Sequence, residues 1–236
     1  MMKETIIIDE MMQKLMSNQL TPGEKLPSEN ELAEKYDVPR MTVRKALTKL
    51  EERGYVYTKK GKGRYVQDKS GQIQLHLTGK ESFTDKMLAS GYDLRTENVF
   101  CQKEPKSSRM YKRLHADVNT AVYKISRVRY IDGAPIAIHH SFLSESVFPK
   151  IGVDGPNLTS LFAYYRDKGY QDFTSTQALL SVVFPTLEEQ QQLACNNMTP
   201  LIMVESDCVD QVSDKVLEYT KIVYRSDKFK YDITMK

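Results

Sequence analysis

Apolar residues repeat at helical spacing in three segments of the first 54 positions. Within each segment they lie three or four residues apart, so they share one face of a helix. The three groups are Ile8, Met11, Met12, Leu15 and Met16; Leu32, Ala33 and Tyr36; and Val43, Ala46, Leu47 and Leu50. The pattern predicts three amphipathic helices that bury these faces in one small core.

Local signals mark where these helices begin and end. Asn18 follows the first group, and asparagine tolerates the left-handed conformation that often ends a helix. Ser28 and Glu31 have the spacing of a capping box, which predicts that the second helix begins at Ser28. Pro39 has the fixed φ that suits the first position of the third helix, and Gly54 supplies its C-terminal stop.

After Gly54 the pattern changes from helix to strand. Residues 55–58 and 64–66 are rich in aromatic and β-branched side chains, and residues 59–63 join them as a basic segment with two glycines. This pattern predicts a β-hairpin. Three helices followed by a hairpin form a winged helix-turn-helix, whose third helix enters the DNA major groove by its N-terminal end.

Charge is concentrated in the same region. Residues 1–66 contain 13 Lys or Arg against 10 Asp or Glu, whereas residues 67–236 contain 21 of each. Within residues 40–64, nine basic side chains accompany only two acids, Glu51 and Glu52. Such a patch favours a polyanionic partner. The alternative is an ordinary solvated helix face, which most charged segments are.

The third helix places Arg40 and Arg44 one turn apart, on the face opposite the apolar stripe. An arginine fork binds guanine O6 and N7 through two hydrogen bonds, or it holds a phosphate. Lys60 and Lys62 in the wing are expected to reach the DNA backbone or the minor groove, and Gly61 permits close approach. The alternatives are that Arg44 is a surface salt-bridge partner and that Lys60 only aids solubility.

The second half of the chain mixes strands and helices. Residues 67–80 are polar and indicate a linker with room for a short strand. Asp132-Gly133, a favoured tight-turn pair, separates two long apolar stretches and predicts a hairpin. Helices are expected near residues 83–91 and 106–114, from a cap near Thr159 to residue 169, and from a capping box formed by Thr186 and Glu189. Strands are expected at residues 96–103, 173–184, 200–211, 215–225 and 229–235. Antiparallel strands interrupted by helices predict an α+β fold.

Composition excludes several classes of protein. No apolar stretch approaches the roughly 18 residues of a membrane span, and the N-terminus lacks the features of a secretory signal, so we expect a cytoplasmic protein with no membrane partner. Cys101, Cys195 and Cys208 are far apart and are interpreted as buried thiols. His139 and His140 are adjacent on a predicted strand and therefore face opposite ways, so they do not suit a shared metal. No cofactor or metal is expected.

The segment LPSENELAEKYDVPRMTVRKALTKLEERGYVYTKKGKGRYV, residues 26–66, resembles the DNA-binding domain of the GntR family of bacterial transcription regulators. The resemblance extends over nearly all of residues 5–66. Asn30 stands where the family often has arginine, and Pro39 where it often has a small hydroxyl residue, so each position departs from the family pattern. The resemblance implies operator contacts by Ser28, Asn30, Arg40, Thr42, Arg44, Lys60, Gly61 and Lys62.

Residues 78–236 more loosely resemble the UTRA effector domain of the HutC branch of that family, whose fold is similar to chorismate lyase. Matching stretches include SFTDKM, SRVRYIDGAPIAIHHSFL and LEYTKIVYRSDKFKY. The resemblance implies an effector site for a small anion, most simply a phosphorylated sugar. Arg127 and Arg129 lie two apart on one strand face and can converge on one anion. His139 replaces a common glutamate and Phe162 a common tyrosine, so the sugar itself is left open. The implied residues are Ser82, Thr84, Arg127, Arg129, His139, Ser160, Phe162, Glu218, Tyr224 and Arg225.

The sequence thus predicts a winged helix-turn-helix at residues 1–66, a linker at residues 67–80 and a mixed α/β effector-binding and dimerisation domain at residues 81–236, built on an antiparallel sheet. Two functions remain open. The first is a homodimeric regulator, expected to be a repressor, whose binding to double-stranded operator DNA responds to the effector. The second is a lyase-like enzyme with a DNA-docking module. The sequence contains no pairing of a nucleophile with a base and no phosphate loop, which favours the regulator.

Overall fold

The N-terminal part of the chain contains three helices and an antiparallel hairpin. The computed structural model describes residues 2–68, 72–76 and 82–232. The helices are α1 (Met2–Met16), α2 (Glu29–Tyr36) and α3 (Arg40–Glu52), and the hairpin consists of β1 (Val56–Lys59) and β2 (Gly63–Val66). This order confirms the predicted winged helix-turn-helix.

The core of this part is formed by the predicted apolar faces and by Ile7, which was not predicted, and two differences occur at helix ends. The stripe of α3 is entirely buried, and it packs on Ile7, Ile8 and Met11 of α1. Met16 was expected in the stripe of α1 but is exposed, because it is the last residue of the helix and extends past the core. Pro39 is the N-cap of α3 rather than its first residue, and it makes no side-chain capping hydrogen bond.

The second part is built on a seven-stranded antiparallel sheet. Its strand order is β4-β5-β6-β10-β9-β7, and β8 also pairs with β9. The strands are β4 (Leu94–Lys103), β5 (Val122–Ile131), β6 (Ala134–Ser144), β7 (Phe173–Thr174), β8 (Ala178–Val183), β9 (Leu201–Asp210) and β10 (Val216–Arg225). The predicted hairpin is confirmed: Asp132 and Gly133 both have positive φ, as a two-residue turn between twisted strands requires. The predicted α+β class is also confirmed.

Short helices cover the two faces of this sheet. They are α4 (Phe83–Ala89), α5 (Arg109–Arg113), α6 (Ile151–Asp154), α7 (Leu161–Asp167) and α8 (Leu187–Leu193), with a 3-10 turn at Gly155–Asn157. On one face, α5 packs on Phe142 and Tyr219, and Leu193 of α8 packs on Val223. The opposite face is apolar near α6 and α7, and polar in its centre.

Two details of this part differ from the prediction. The single strand expected at residues 173–184 is split into β7 and β8. The helix predicted near Thr159 is present and is capped by Ser160. Helix α6 was not predicted, because it has only four residues. Strand β3 (Ile73–His76) lies inside the predicted linker and pairs in parallel with β11 (Phe229–Asp232). Residues 69–71, 77–81 and 233–236 lie outside the described residues, so the expected linker and last strand are covered only in part.

In the described part of the chain, every helix is too short or too polar to cross a membrane.

Candidate DNA interface and ligand cavity

Helix α3 presents an exposed ridge of basic side chains. Arg40, Met41, Arg44 and Lys45 are exposed, while the apolar stripe on the opposite side is buried. The side chains of Arg40 and Arg44 are 57% and 45% exposed. Both guanidinium groups are therefore accessible to a DNA duplex at the N-terminal end of the helix.

Both arginines also form a salt bridge with Glu29, which the sequence analysis did not select. Arg40 and Arg44 each lie 2.9 Å from Oε2 of Glu29 at the start of α2. Arg44 thus has the salt-bridge partner that the alternative interpretation proposed, and it is exposed as well. These partners are 11 and 15 positions apart in the chain, so no local pattern connects them.

The remaining DNA candidates lie on α2, on α3 and at the tip of the wing. Ser28 caps α2: its Oγ accepts from the backbone N–H of Glu31. Asn30 is exposed on α2, whereas Thr42 is half-buried on α3. The wing residues Lys60, Gly61 and Lys62 are exposed, and Gly61 has φ +73°, a conformation that favours glycine.

The polar centre of the large sheet forms one wall of a cavity of about 290 Å³. This volume is just below the roughly 300–1,000 Å³ of small-molecule sites. Nine of the ten effector candidates line it, and they come from α4, β5, β6, α7 and β10. They are Ser82, Thr84, Arg127, Arg129, His139, Ser160, Phe162, Glu218 and Tyr224.

Arg225, the tenth candidate, does not line this cavity. Its neighbour Tyr224 does, and successive side chains of a strand point to opposite faces of the sheet. Arg225 instead binds Asp227 at 2.6 Å and donates to the carbonyl of Leu193 in α8. The expectation that it lines the site is therefore corrected.

Arg127 and Arg129 are buried side by side at the base of the cavity. They are 2% and 3% exposed. Arg127 donates to Ser141 Oγ at 2.7 Å, and Arg129 donates to the Thr159 carbonyl at 3.0 Å and to Thr96 Oγ1. The neighbouring acid, Glu218, is also buried. The cavity lining contains three basic side chains, Lys86, Arg127 and Arg129, and two carboxylates, Asp207 and Glu218, so positive charge exceeds negative charge by one.

Several buried atoms of this site have no hydrogen-bond partner within the described residues. They are Nε of Arg127, Nε of Arg129 and Nε2 of His139. A buried polar atom without a partner costs about 1–3 kcal/mol, and such atoms are uncommon in folded proteins. The two arginine Nε–H groups are therefore charged donors without a partner, as an anion-binding site requires.

Burial determines the protonation of these groups. It lowers the pKa of Arg129 to about 9, with a further contribution from Arg127, so Arg129 remains charged at neutral pH. Burial also raises the pKa of Glu218, and the positive charge of Arg127 partly offsets this increase. Burial and then the two arginines hold the pKa of His139 well below its usual value, so its imidazole is neutral at pH 7.

The structure adds cavity residues that the sequence analysis missed. Ser141 lies two positions from His139, and Thr220 lies two positions from Glu218, so strand alternation was the signal that could have found them. Residues 175–177 also line the cavity, and Asp207 holds them by accepting from the backbone N–H of Thr176 at 2.7 Å. These three residues lead directly into β8.

His140 lies on the opposite side of the sheet from His139, as alternation predicts. It lines a second cavity together with Lys124 and Lys221. Burial, Lys124 and Lys221 lower its pKa to about 3. No cluster of three or more potential metal ligands occurs among the residues that the structure describes.

The two histidines make unfolding sensitive to mild acid. Each has a depressed pKa in the folded state, so its contribution to stability is complete above the unfolded pKa of about 6.5 and is lost as the pH falls below it. Between pH 7 and pH 5 we expect the free energy of unfolding to fall, by up to about 2 kcal/mol for His140 and further for His139. His140→Gln should remove the His140 part of this decrease, measured by urea titrations at both pH values. An unchanged pH dependence in the variant would contradict the assignment.

Comparison with known proteins identifies the family. Residues 4–66 match the model of the gntR family of bacterial regulatory proteins, and residues 89–230 match the UTRA domain. The second match alone covers more than half of the chain. This chain belongs to the GntR family, in the branch with a UTRA domain. It is a DNA-binding transcription regulator with the HutC-like architecture that its sequence resembles.

Relatives of this GntR-family regulator cover nearly its full length. It is 27% identical over 217 residues to the probable fructoselysine utilization operon transcriptional repressor of Shigella flexneri, which covers 91% of this chain and 86% of the relative. It is 23% identical over 227 residues to the mannosyl-D-glycerate transport/metabolism system repressor MngR of Escherichia coli K12, covering 96% and 93%. The crystal structure of PhnF from Mycobacterium smegmatis matches with a TM-score of 0.62 at 25% identity, over 97% of this chain and 98% of that one.

Proposed function

We propose that this regulator is a repressor that binds its operator through α3 and the wing, and that a small anionic metabolite in the cavity controls this binding. The observation that carries the proposal is the pair of buried arginines in the cavity lining, Arg127 and Arg129, whose Nε atoms have no hydrogen-bond partner within the described residues. Two relatives are named as repressors of systems that use sugar derivatives. A phosphorylated sugar combines the required anion with hydroxyl groups for the polar wall.

In this proposal residues 1–66 bind DNA, residues 67–80 connect, and residues 81–236 bind the effector and dimerise. The operator contacts are those of Ser28, Asn30, Arg40, Thr42, Arg44, Lys60, Gly61 and Lys62. The effector contacts are those of the nine candidates that line the cavity. The UTRA domain binds without turnover, so the chain is not an enzyme.

A two-part experiment tests the function. The operator is first selected from a library of random duplexes, and the protein is then titrated with a panel of hexose phosphates and inorganic phosphate while operator binding is followed by fluorescence anisotropy. We expect one panel member to change operator affinity, and the operator to change the affinity for that compound by the same factor, as linkage requires. Selection of no preferred duplex would exclude the DNA-binding role. Product formation, detected by mass spectrometry, would favour the enzyme.

We further propose that a second copy of the chain covers strand β8. This strand is at the edge of the sheet, and its segment exposes five apolar side chains: Leu179, Leu180, Val182, Phe184 and Leu187. An exposed apolar edge strand is a template for pairing, and a two-fold axis pairs such a strand antiparallel with itself. The homodimer also contains two DNA-binding domains, one for each half-site of the operator. Residues 175–177 connect the cavity wall to β8, so a bound effector can alter the distance between the two DNA-binding domains.

Val182→Lys should therefore convert the dimer to a monomer, because it places a charge in the centre of the proposed interface. Sedimentation equilibrium of the full chain measures this change. Lys215→Glu, a charge change in the exposed turn between β9 and β10, serves as a control that should remain dimeric. A dimer that persists in Val182→Lys would place the interface elsewhere.

A further inference from the structure

One carboxylate connects α2, α3 and the wing, which together form the proposed DNA-reading surface. Glu29, on α2, accepts from Arg40 Nε at 2.9 Å and from Arg44 Nη2 at 2.9 Å, both on α3. It also accepts from Arg64 Nη1 at 3.1 Å, on strand β2 of the wing. Helix α2, helix α3 (the recognition helix) and the wing thus meet at a single side chain.

The hydrogen bonds use specific edges of each guanidinium group. Arg40 binds Glu29 through Nε, and its Nη1 and Nη2 have no hydrogen bond within the described residues. Arg44 uses Nε and Nη2, which leaves Nη1 near the Met41 sulfur at 4.0 Å. A guanine is read by two donors of one guanidinium group, so the free fork of Arg40 is the edge that this contact needs.

Arg64 has a different role from the two exposed arginines. Its side chain is only 16% exposed, and its other donors bind Thr48 Oγ1 at 3.2 Å and Glu51 at 3.4 Å. Because all of its donor groups are engaged, Arg64 fixes the wing strand against α3. Glu29 therefore orders the recognition helix side chains and the wing together.

The position of Glu29 suits this role. Its side chain is 17% exposed, and the capped start of α2 fixes its backbone. The hydrogen bond from Arg44, with further contributions from Arg40, holds the pKa of Glu29 at about 2, so the carboxylate is charged at any physiological pH. Without this charge, three guanidinium groups would lie together and repel each other, and the flexible pair on α3 would turn to the nearest phosphates.

We propose that Glu29 is a positioning residue that determines sequence specificity. It holds Arg40 and Arg44 by their inner edges, so that their outer edges meet the DNA bases in a fixed orientation. This inference rests on the proposed operator contacts of the two arginines. The negative charge of Glu29 also lowers the affinity for DNA of any sequence, because a carboxylate near the phosphates repels them. Glu29 thus favours discrimination over strength of binding.

The test compares Glu29→Gln with Glu31→Gln in the full-length protein. Glu31 is two residues away on the same helix, and its carboxylate accepts from the Ser28 N–H at 2.7 Å. Both variants lose one negative charge beside the DNA, but only Glu29→Gln releases the arginines. Affinities for the selected operator and for a shuffled duplex are measured by anisotropy at several salt concentrations, with thermal unfolding as the control for folding.

For Glu29→Gln we expect the ratio of operator to shuffled-duplex affinity to fall about tenfold, since each mobile side chain that must be ordered on binding costs roughly a factor of two to ten. Affinity for the shuffled duplex should stay equal or increase. In Glu31→Gln both affinities should change by the same factor. If Glu29→Gln does not fold, Glu29→Asp replaces it, because it keeps the charge but is one methylene too short to hold both arginines, and an intermediate ratio is expected.

Two outcomes overturn the inference. The first is a Glu29→Gln protein that folds and keeps the wild-type ratio, and the second is an equal loss of the ratio in Glu31→Gln. Neither outcome affects the proposed function, which fails instead if the wild-type protein itself prefers no duplex. Combining Glu29→Gln with Arg44→Ala gives a further check, because the effect of the first change should become smaller when its partner is absent.

Discussion

Arg44→Ala should lower the affinity of the protein for its operator by about ten- to a hundredfold, while binding to shuffled DNA changes much less. A good bidentate contact to a base contributes about 1–3 kcal/mol of discrimination, and alanine removes it completely. Since Arg44 is exposed and its partners within the described residues are Glu29 on α2 and Met41 on α3, the fold should persist. Anisotropy titrations with the two duplexes measure the difference.

The matched control for this prediction is Lys45→Ala. Lys45 is the next residue of α3, is also exposed and carries the same charge. A lysine that contacts only phosphate contributes equally to all sequences, so its loss should weaken both complexes by one factor and reduce the salt dependence by about one charge. If Arg44→Ala behaves like Lys45→Ala, Arg44 binds phosphate rather than a base. If Arg44→Ala unfolds at a much lower temperature, its role is structural.

Arg129→Gln should raise the Kd of the effector by about ten- to a hundredfold, because charge-assisted hydrogen bonds are worth about 1.5–3 kcal/mol. The structure favours this change over Arg127→Ala. Arg127 is the main positive partner of the buried Glu218, and its removal would leave that carboxylate uncompensated. Glutamine removes the charge and keeps a side-chain amide as a hydrogen-bond donor. Calorimetric titration with the hexose phosphate that binds the wild type measures the change.

Arg225→Gln is the control for the cavity. The sequence placed Arg225 in the effector site, whereas the structure places it on the opposite face, paired with Asp227. Effector affinity should therefore remain within about twofold of wild type, even if the variant is less stable. If Arg225→Gln lost as much effector affinity as Arg129→Gln, the ligand would have to contact both faces of the sheet. If Arg129→Gln kept the wild-type effector affinity, the effector site would lie outside this cavity.

The cavity and the DNA-reading surface differ in how their charges are arranged. In the cavity, positive charge exceeds negative charge and donors lack partners, so the binding energy of an anion is available. At the DNA surface, Glu29 already engages the inner edges of the arginines, and only the outer edges are available. The first arrangement provides affinity for a small anion, and the second provides orientation for reading bases.

The sequence by itself determined the local structure of this protein. The stripe of α3, the capping boxes at Ser28 and Thr186, and the turn at Asp132-Gly133 were all predicted, because each depends on residues within four positions of one another. Nine of the ten effector candidates line one cavity, and the family resemblance supplied most of them. Strand alternation alone would have separated Arg225 from Tyr224.

Only the tertiary structure decided which distant residues meet. Arg64 contacts Glu29 across 35 positions, and β3 pairs in parallel with β11 at the far end of the chain. Neither contact produces a periodic pattern in the sequence, because the packing of whole elements against each other decides which distant residues come into contact. Helices and turns are specified by short-range geometry, whereas the partners of a charged side chain are specified by how the elements dock, and that depends on the whole core.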